Sequence, residues 1–182
     1  MTELASAGQL RASYLRWAMV LVPGLILLGY LSAMYGSPKS AWFESLVKPS
    51  IFPPPQYFGP VWTALYGLMG FALSLIVTAR GAWGRERAVI AFAVQLVLNL
   101  AWSPVFFGMH HITAALVVIG LLDVAVIITI VLFWRVRGLA AILLLPYLAW
   151  ILFASVLTYE FRAANPMADG RAGSTSTQRI QL

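Results

Sequence analysis

Gln95-Leu-Val-Leu-Asn99-Leu-Ala-Trp102-Ser-Pro-Val-Phe-Phe-Gly108 places two amides and an indole inside a run apolar enough to cross a bilayer. On a helix Gln95, Asn99 and Trp102 stand at i, i+4 and i+7, so they share one face. Hydrocarbon cannot hydrogen-bond an amide, and that face must therefore turn inward, toward other helices or toward a ligand. The run is one span of a helical bundle whose interior is partly polar.

The rest of the chain is of the same kind. Of its 182 residues, 61% are hydrophobic and 10% charged, with a mean hydropathy of +0.85, outside the range of a soluble domain. The fold class is an all-α, multi-pass membrane protein, a five-transmembrane-helix bundle with spans at about 17–35, 59–79, 88–107, 112–134 and 138–161. Each is near the roughly 20 residues that cross hydrocarbon, too long for the ten-residue strands of an outer-membrane barrel. The first apolar run also exceeds the usual core of a signal peptide and reads as a retained helix.

Residues 1–16 precede the transmembrane domain of 17–162, and the polar tail 163–182, with its Ser-Thr-Ser-Thr run, reads as disordered. The long loop 36–58 is stiffened by Ser37-Pro38, Lys48-Pro49 and Pro53-Pro54-Pro55. Connections near Gly81–Arg87, Gly108–His111 and Arg135–Gly138 are short, which predicts antiparallel packing of consecutive helices.

The net charge of +6 does not indicate nucleic acid as a partner, because the basic residues sit at the ends of apolar runs, where membrane lipid and topology place them. Arg11, Arg16, Arg80, Arg85, Arg87, Arg135 and Arg137 share the side of the N-terminus; Lys39, Lys48 and Arg162 lie opposite, with Arg171 and Arg179 further out. The positive-inside rule makes the N-terminus cytoplasmic. The expected home is a bacterial cell membrane, with the outer membrane as the alternative.

With no cysteine, thiolate chemistry is excluded. No phosphate loop, catalytic triad or Rossmann fingerprint is present, so no catalytic residue is assigned. His110-His111 reads as an interfacial loop rather than a metal or haem site, and no metal or cofactor is expected.

Candidate site residues come from the polar and aromatic faces. Asp123, in mid-span, is either a hydrogen-bonded structural carboxyl or a proton-coupling group. Gln95 and Asn99 read either as interhelical glue or as ligand contacts, and Trp102 on the same face favours the ligand. The fifth span adds Tyr147, Trp150 and Ala154 at i, i+3 and i+7, and the second adds Trp62 and Tyr66. Aromatic faces with a few amides suit a large planar ligand. Trp17, Trp42, Trp83 and Trp134 read as interfacial anchors. Leu157, Tyr159 and Arg162 fit the pattern proposed for sterol contact.

Several separate motifs carry a family resemblance: Trp42, Lys48-Pro49, Pro53-Pro54, Phe58-Gly59-Pro60-Val61-Trp62-Thr63-Ala64-Leu65-Tyr66, Gln95 to Phe107, Asp123, and Pro146-Tyr147-Leu148-Ala149-Trp150 with Ala154. From about Ala41 to Pro166 the chain resembles the tryptophan-rich sensory protein and translocator protein family (TspO/MBR), also called peripheral-type benzodiazepine receptors. The resemblance implies a five-helix bundle, commonly a homodimer, with a pocket beneath the first long loop. Expected ligands are porphyrins and related haem-type tetrapyrroles, with sterol-like lipids mainly in the eukaryotic branch.

Carried over, the pocket comprises Trp42, Pro49, Trp62, Asn99, Trp102, Tyr147, Trp150 and Ala154. Tyr66, Gln95 and Asp123 join them from the residue reading. This sequence departs from the family pattern at Gln56-Tyr57, where many members carry tryptophan, and at Thr158, where asparagine is frequent. The expected function is a membrane receptor or sensor for tetrapyrroles that hands them on or transports them. The alternatives are photo-oxidative porphyrin breakdown, against which the departures weigh, and a small proton-coupled exporter using Asp123. Gly67 and Gly70 on the second span offer a close-packing surface.

Overall fold

The computed structural model describes residues 6–34 and 40–170. Its long helices are α1 (Ala7–Met34), α3 (Phe58–Val77), α4 (Arg85–Ser103), α5 (Ile112–Val136) and α6 (Gly138–Ala164), with a short α2 (Ala41–Ser45) in the loop. Each long helix, with its flanking turn where it has one, is long and apolar enough to cross a membrane.

Three boundaries differ from the sequence reading. Helix α1 starts at Ala7, ahead of the apolar run, because Ser6 and Gln9 form a capping box: Gln9 N–H donates to Ser6 Oγ at 3.2 Å and Ser6 N–H to Gln9 Oε1 at 2.8 Å. Helix α4 widens into a π-helical turn, Pro104–Gly108, where Met109 N–H reaches back to Pro104 O at 2.9 Å. The tail is also ordered over its first residues: α6 runs to Ala164 and Asn165–Gly170 folds back over the loop. Residues 171–182 of the expected disordered tail lie outside the described residues.

The five long helices close a ring in the order α1, α3, α6, α5, α4 and back to α1. Consecutive spans are neighbours at α4–α5 and α5–α6, as expected from their short connections, and also at α1–α3 across the long loop. At α3–α4 the expected contact is slight, as it also is where α4 meets α1; α6 takes a larger share of α3 than α4 does. The connection there contains Gly81 and Gly84 at φ +79° and +81°, and this left-handed backbone lets the chain step sideways as it reverses.

Glycines let α1 and α3 approach closely. A Cβ on Gly70 would stand 2.7 Å from Val22 Cα, and one on Gly29 would fall 2.0 Å from the Tyr66 ring. Gly70 therefore serves contact within the chain, not a second copy. The end of the bundle away from the loop is solid, with Ala72, Ile76, Ala88, Phe133, Ala140 and Ala141 fully buried and Phe92 stacked on Phe133 at 5.9 Å.

Candidate functional site

Toward the loop end the ring is hollow. A cavity of about 320 Å³ lies among all five long helices, under α2 and the loop. Its walls are Trp62 and Tyr66 from α3, Asn99 and Trp102 from α4, Trp150, Ala154 and Leu157 from α6, and Gly29 and Ser32 from α1. Ser32 Oγ donates to Leu100 O at 2.6 Å and joins α1 to α4 along one wall.

The floor is a chain of side-chain hydrogen bonds across three helices. Tyr66 O–H donates to Asn99 Oδ1, Asn99 Nδ2 to the Tyr147 oxygen at 3.0 Å, and Tyr147 O–H to Gln95 Oε1 at 2.9 Å. Each member hydrogen-bonds the next in a buried setting, so the chain fixes the helices in register. Asn99 retains one amide hydrogen and one lone pair. Gln95 and Tyr147, 1% and 0% exposed, lie beneath the cavity surface, not on it. Trp102 Nε1 and Gln95 Nε2 are buried donors with no acceptor among the described residues.

The roof is made of phenylalanine. Phe43 meets Phe107 at 5.1 Å, Phe52 meets Phe58 at 5.7 Å and Phe161 at 5.6 Å, and Phe106 meets Phe107 at 4.8 Å. These six rings line the cavity, and none was singled out as a lining residue from the sequence. Their signal was aromatic density within the proline-rich loop, at Phe43, Phe52 and Phe58, and at the ends of two spans, at Phe106, Phe107 and Phe161.

Lys48 fastens the end of α2 by donating to Phe43 O and to Leu46 O, and its ammonium lies 4.3 Å from the Phe43 ring centre. Partial burial lowers the lysine pKa below its usual value, with Glu44 opposing the shift.

Other predicted residues lie elsewhere. Trp42 is buried, unlike the exposed Trp17, Trp83 and Trp134, and so is not the interfacial anchor the sequence suggested, yet it does not line the cavity: it stacks on His110 at 4.4 Å. Pro49 also lies off the lining. Asp123 sits between α5 and α6, where its Oδ2 accepts from Ser155 Oγ at 2.7 Å. It falls one position past Leu122 and so leaves the inward face Ile119, Leu122, Val126.

Leu157, Tyr159 and Arg162 do not form one surface. Leu157 points inward, Tyr159 is exposed, and Arg162 Nε donates to Thr113 Oγ1 at 2.6 Å. Of the departures from the family pattern, Thr158 lines the cavity, while Gln56 and Tyr57 are exposed. A shallower cleft at the opposite end, between Ala79–Ala82 and Val136–Leu139, opens broadly outward and contains none of the predicted residues. No metal-binding cluster occurs among the described residues.

Five apolar helices around a cavity walled by indoles and roofed by the long loop define a class, the multi-pass helical membrane protein with a cavity between its helices. The chain belongs to the TspO/MBR family, whose model matches residues 14–163. It is 40% identical over 153 residues to the tryptophan-rich protein TspO of Chlorobaculum tepidum, covering 81% of this chain and 96% of that one. It is 42% identical over 121 residues to the human translocator protein, covering 65% and 71%. The tryptophan-rich sensory protein of Cereibacter sphaeroides is 35% identical over 124 residues, covering 68% and 77%.

Proposed function

We propose that this protein is a membrane receptor that binds porphyrins and related tetrapyrroles in the cavity and passes them on, a sensing or translocating role in keeping with the names of its relatives. The observation that carries the reading is the placement of Trp62, Trp102 and Trp150 around one cavity above a polar floor. Indole faces suit a flat conjugated ring, and the unpartnered Trp102 Nε1 suits an acceptor on its edge, such as a carboxylate or carbonyl. At about 320 Å³ the space is at the low end of the roughly 300–1,000 Å³ typical of small-molecule sites. A macrocycle therefore enters with displacement of the phenylalanine roof. The proposal includes a cell membrane with the N-terminus cytoplasmic, and a homodimer.

Titration of the purified protein with protoporphyrin IX, followed by tryptophan fluorescence, is expected to give saturable quenching. Asn99→Ala, which breaks the floor, and Trp102→Ala, which removes the donor, should each weaken it roughly tenfold or more. Unchanged binding by both variants would remove the site assignment.

A further inference from the structure

We propose that Asn165–Gly170, the segment leaving α6, is a latch that holds α2 and its loop closed over the cavity, with Asn165 as its clasp. The inference rests on the reading of the cavity as a ligand site. The segment begins after residue 163, where the match to the family model ends.

Asn165 commits both ends of its amide to one residue of the loop. Val47 N–H donates to Asn165 Oδ1 at 2.8 Å, and Asn165 Nδ2 donates to Val47 O at 3.0 Å. The same Nδ2 donates to Phe161 O at 3.0 Å, and the Asn165 backbone N–H to the same carbonyl at 3.1 Å, so the clasp is rooted in the last turn of α6. Asn165 is buried although Pro166 and Met167 beside it are exposed. A side chain of this type can replace a strand edge, because its amide presents the same donor and acceptor pair as a peptide.

Further along, the segment holds two more points. Trp42 Nε1 donates to Ala168 O at 3.3 Å, and Gly170 N–H donates to His110 O at 2.8 Å. The Trp42 ring stacks on the His110 ring, with an interplanar angle of 20°. His110 holds a φ of 60°, which non-glycine residues rarely adopt and which persists only where neighbours fix it. Three chain segments distant in sequence thus meet at Trp42, which explains its burial without a place in the cavity.

Phe43 and Phe52, the roof rings, belong to the loop that Asn165 and Trp42 restrain. Val47 itself is 62% exposed, so its own hold on the bundle is these two bonds, while Trp42, Phe43 and Leu46 beside it are buried against the helices. To the packing of Trp42, Phe43 and Leu46, closure adds hydrogen bonds to a segment outside the bundle. The helices below need not move for the roof to open.

The test uses the full chain in lipid nanodiscs, with amide hydrogen exchange over residues 41–52 and stopped-flow mixing with protoporphyrin IX. Asn165→Ala is expected to speed loop exchange roughly tenfold, the weight of one or two net hydrogen bonds. Trp42→Phe, which keeps an aromatic ring but loses the Nε1 bond, should move it less in the same direction, and Met167→Ala should leave it unchanged. In Asn165→Ala, porphyrin association and dissociation should accelerate together with little change in Kd. Loop exchange unaltered in Asn165→Ala and Trp42→Phe would overturn the latch, as would equal acceleration throughout α3–α6. If the unsubstituted protein does not bind protoporphyrin IX, the functional reading fails while the exchange result still decides the latch.

Discussion

The two ends of the bundle use the same five helices to opposite effect. Away from the loop, alanines alternate with large side chains: Ala72, Ala88, Ala140 and Ala141 are fully buried beside Met69, Ile76 and Phe133, and no room remains. Toward the loop the inward positions are Trp62, Tyr66, Trp102, Phe106 and Trp150. Rigid planar rings cannot fill an irregular space as alanine and methionine do, so the helices enclose a cavity there. The Tyr66–Asn99–Tyr147–Gln95 chain marks the boundary between the halves. Close packing is concentrated in one half and open space in the other.

The largest effect that would break this contrast comes from the solid half. Phe133→Ala removes a fully buried ring and its stacking on Phe92, and should lower stability by about 3–5 kcal/mol. Trp62→Ala, at a half-buried wall, should cost about 1 kcal/mol. Unfolding in micelles compares the two, and equal losses would end the distinction. Next in size, Gly29→Ala acts at the boundary, since its new Cβ falls on the Tyr66 ring. Overpacking of this kind costs about 1–3 kcal/mol. It should also turn Tyr66 away from Asn99 and weaken quenching by protoporphyrin IX; unaltered quenching would mean that the floor tolerates the shift.

Much of this arrangement is legible in the sequence. Five spans follow from apolar length, and the walls follow from helical spacing, because periodicity assigns Asn99 and Trp102 to one face and Trp150 and Ala154 to another. Those faces do meet at the cavity. What spacing does not carry is contact between distant segments. Trp42 and Val47 owe their positions to partners 126 and 118 residues away, and no local pattern specifies such a pairing. Asp123 was read from polarity in mid-span, yet one step of 100° on α5 takes it off the inward face. The step from α3 across to α4 likewise depends on which helix packs better beside α3, a competition among all five.

The smallest effect sharpens the contrast from the loop end. Thr113 N–H donates to Asp169 Oδ1 at 3.2 Å, Thr113 Oγ1–H donates to Oδ2, and Arg162 Nε lies 3.7 Å from that oxygen. Burial pushes the Asp169 carboxyl up, but the Thr113 hydroxyl and amide, the Ile112 amide and Arg162 together hold it below its ordinary 3.8. A carboxyl lowered on folding contributes stability above its unfolded pKa and loses it as pH falls through the folded value. Acidification from about pH 6 to about pH 3 should therefore loosen Asp169 from Thr113, with a cost under about 1 kcal/mol because the pair is partly exposed. Asp169→Asn should produce the same loosening at neutral pH and remove its dependence on acid. Exchange of the Thr113 amide reads both. The solid half contains no comparable carboxylate among its buried residues, so Phe133 and its neighbours should show no change over that range, and a parallel loss there would mean that the two ends unfold as one.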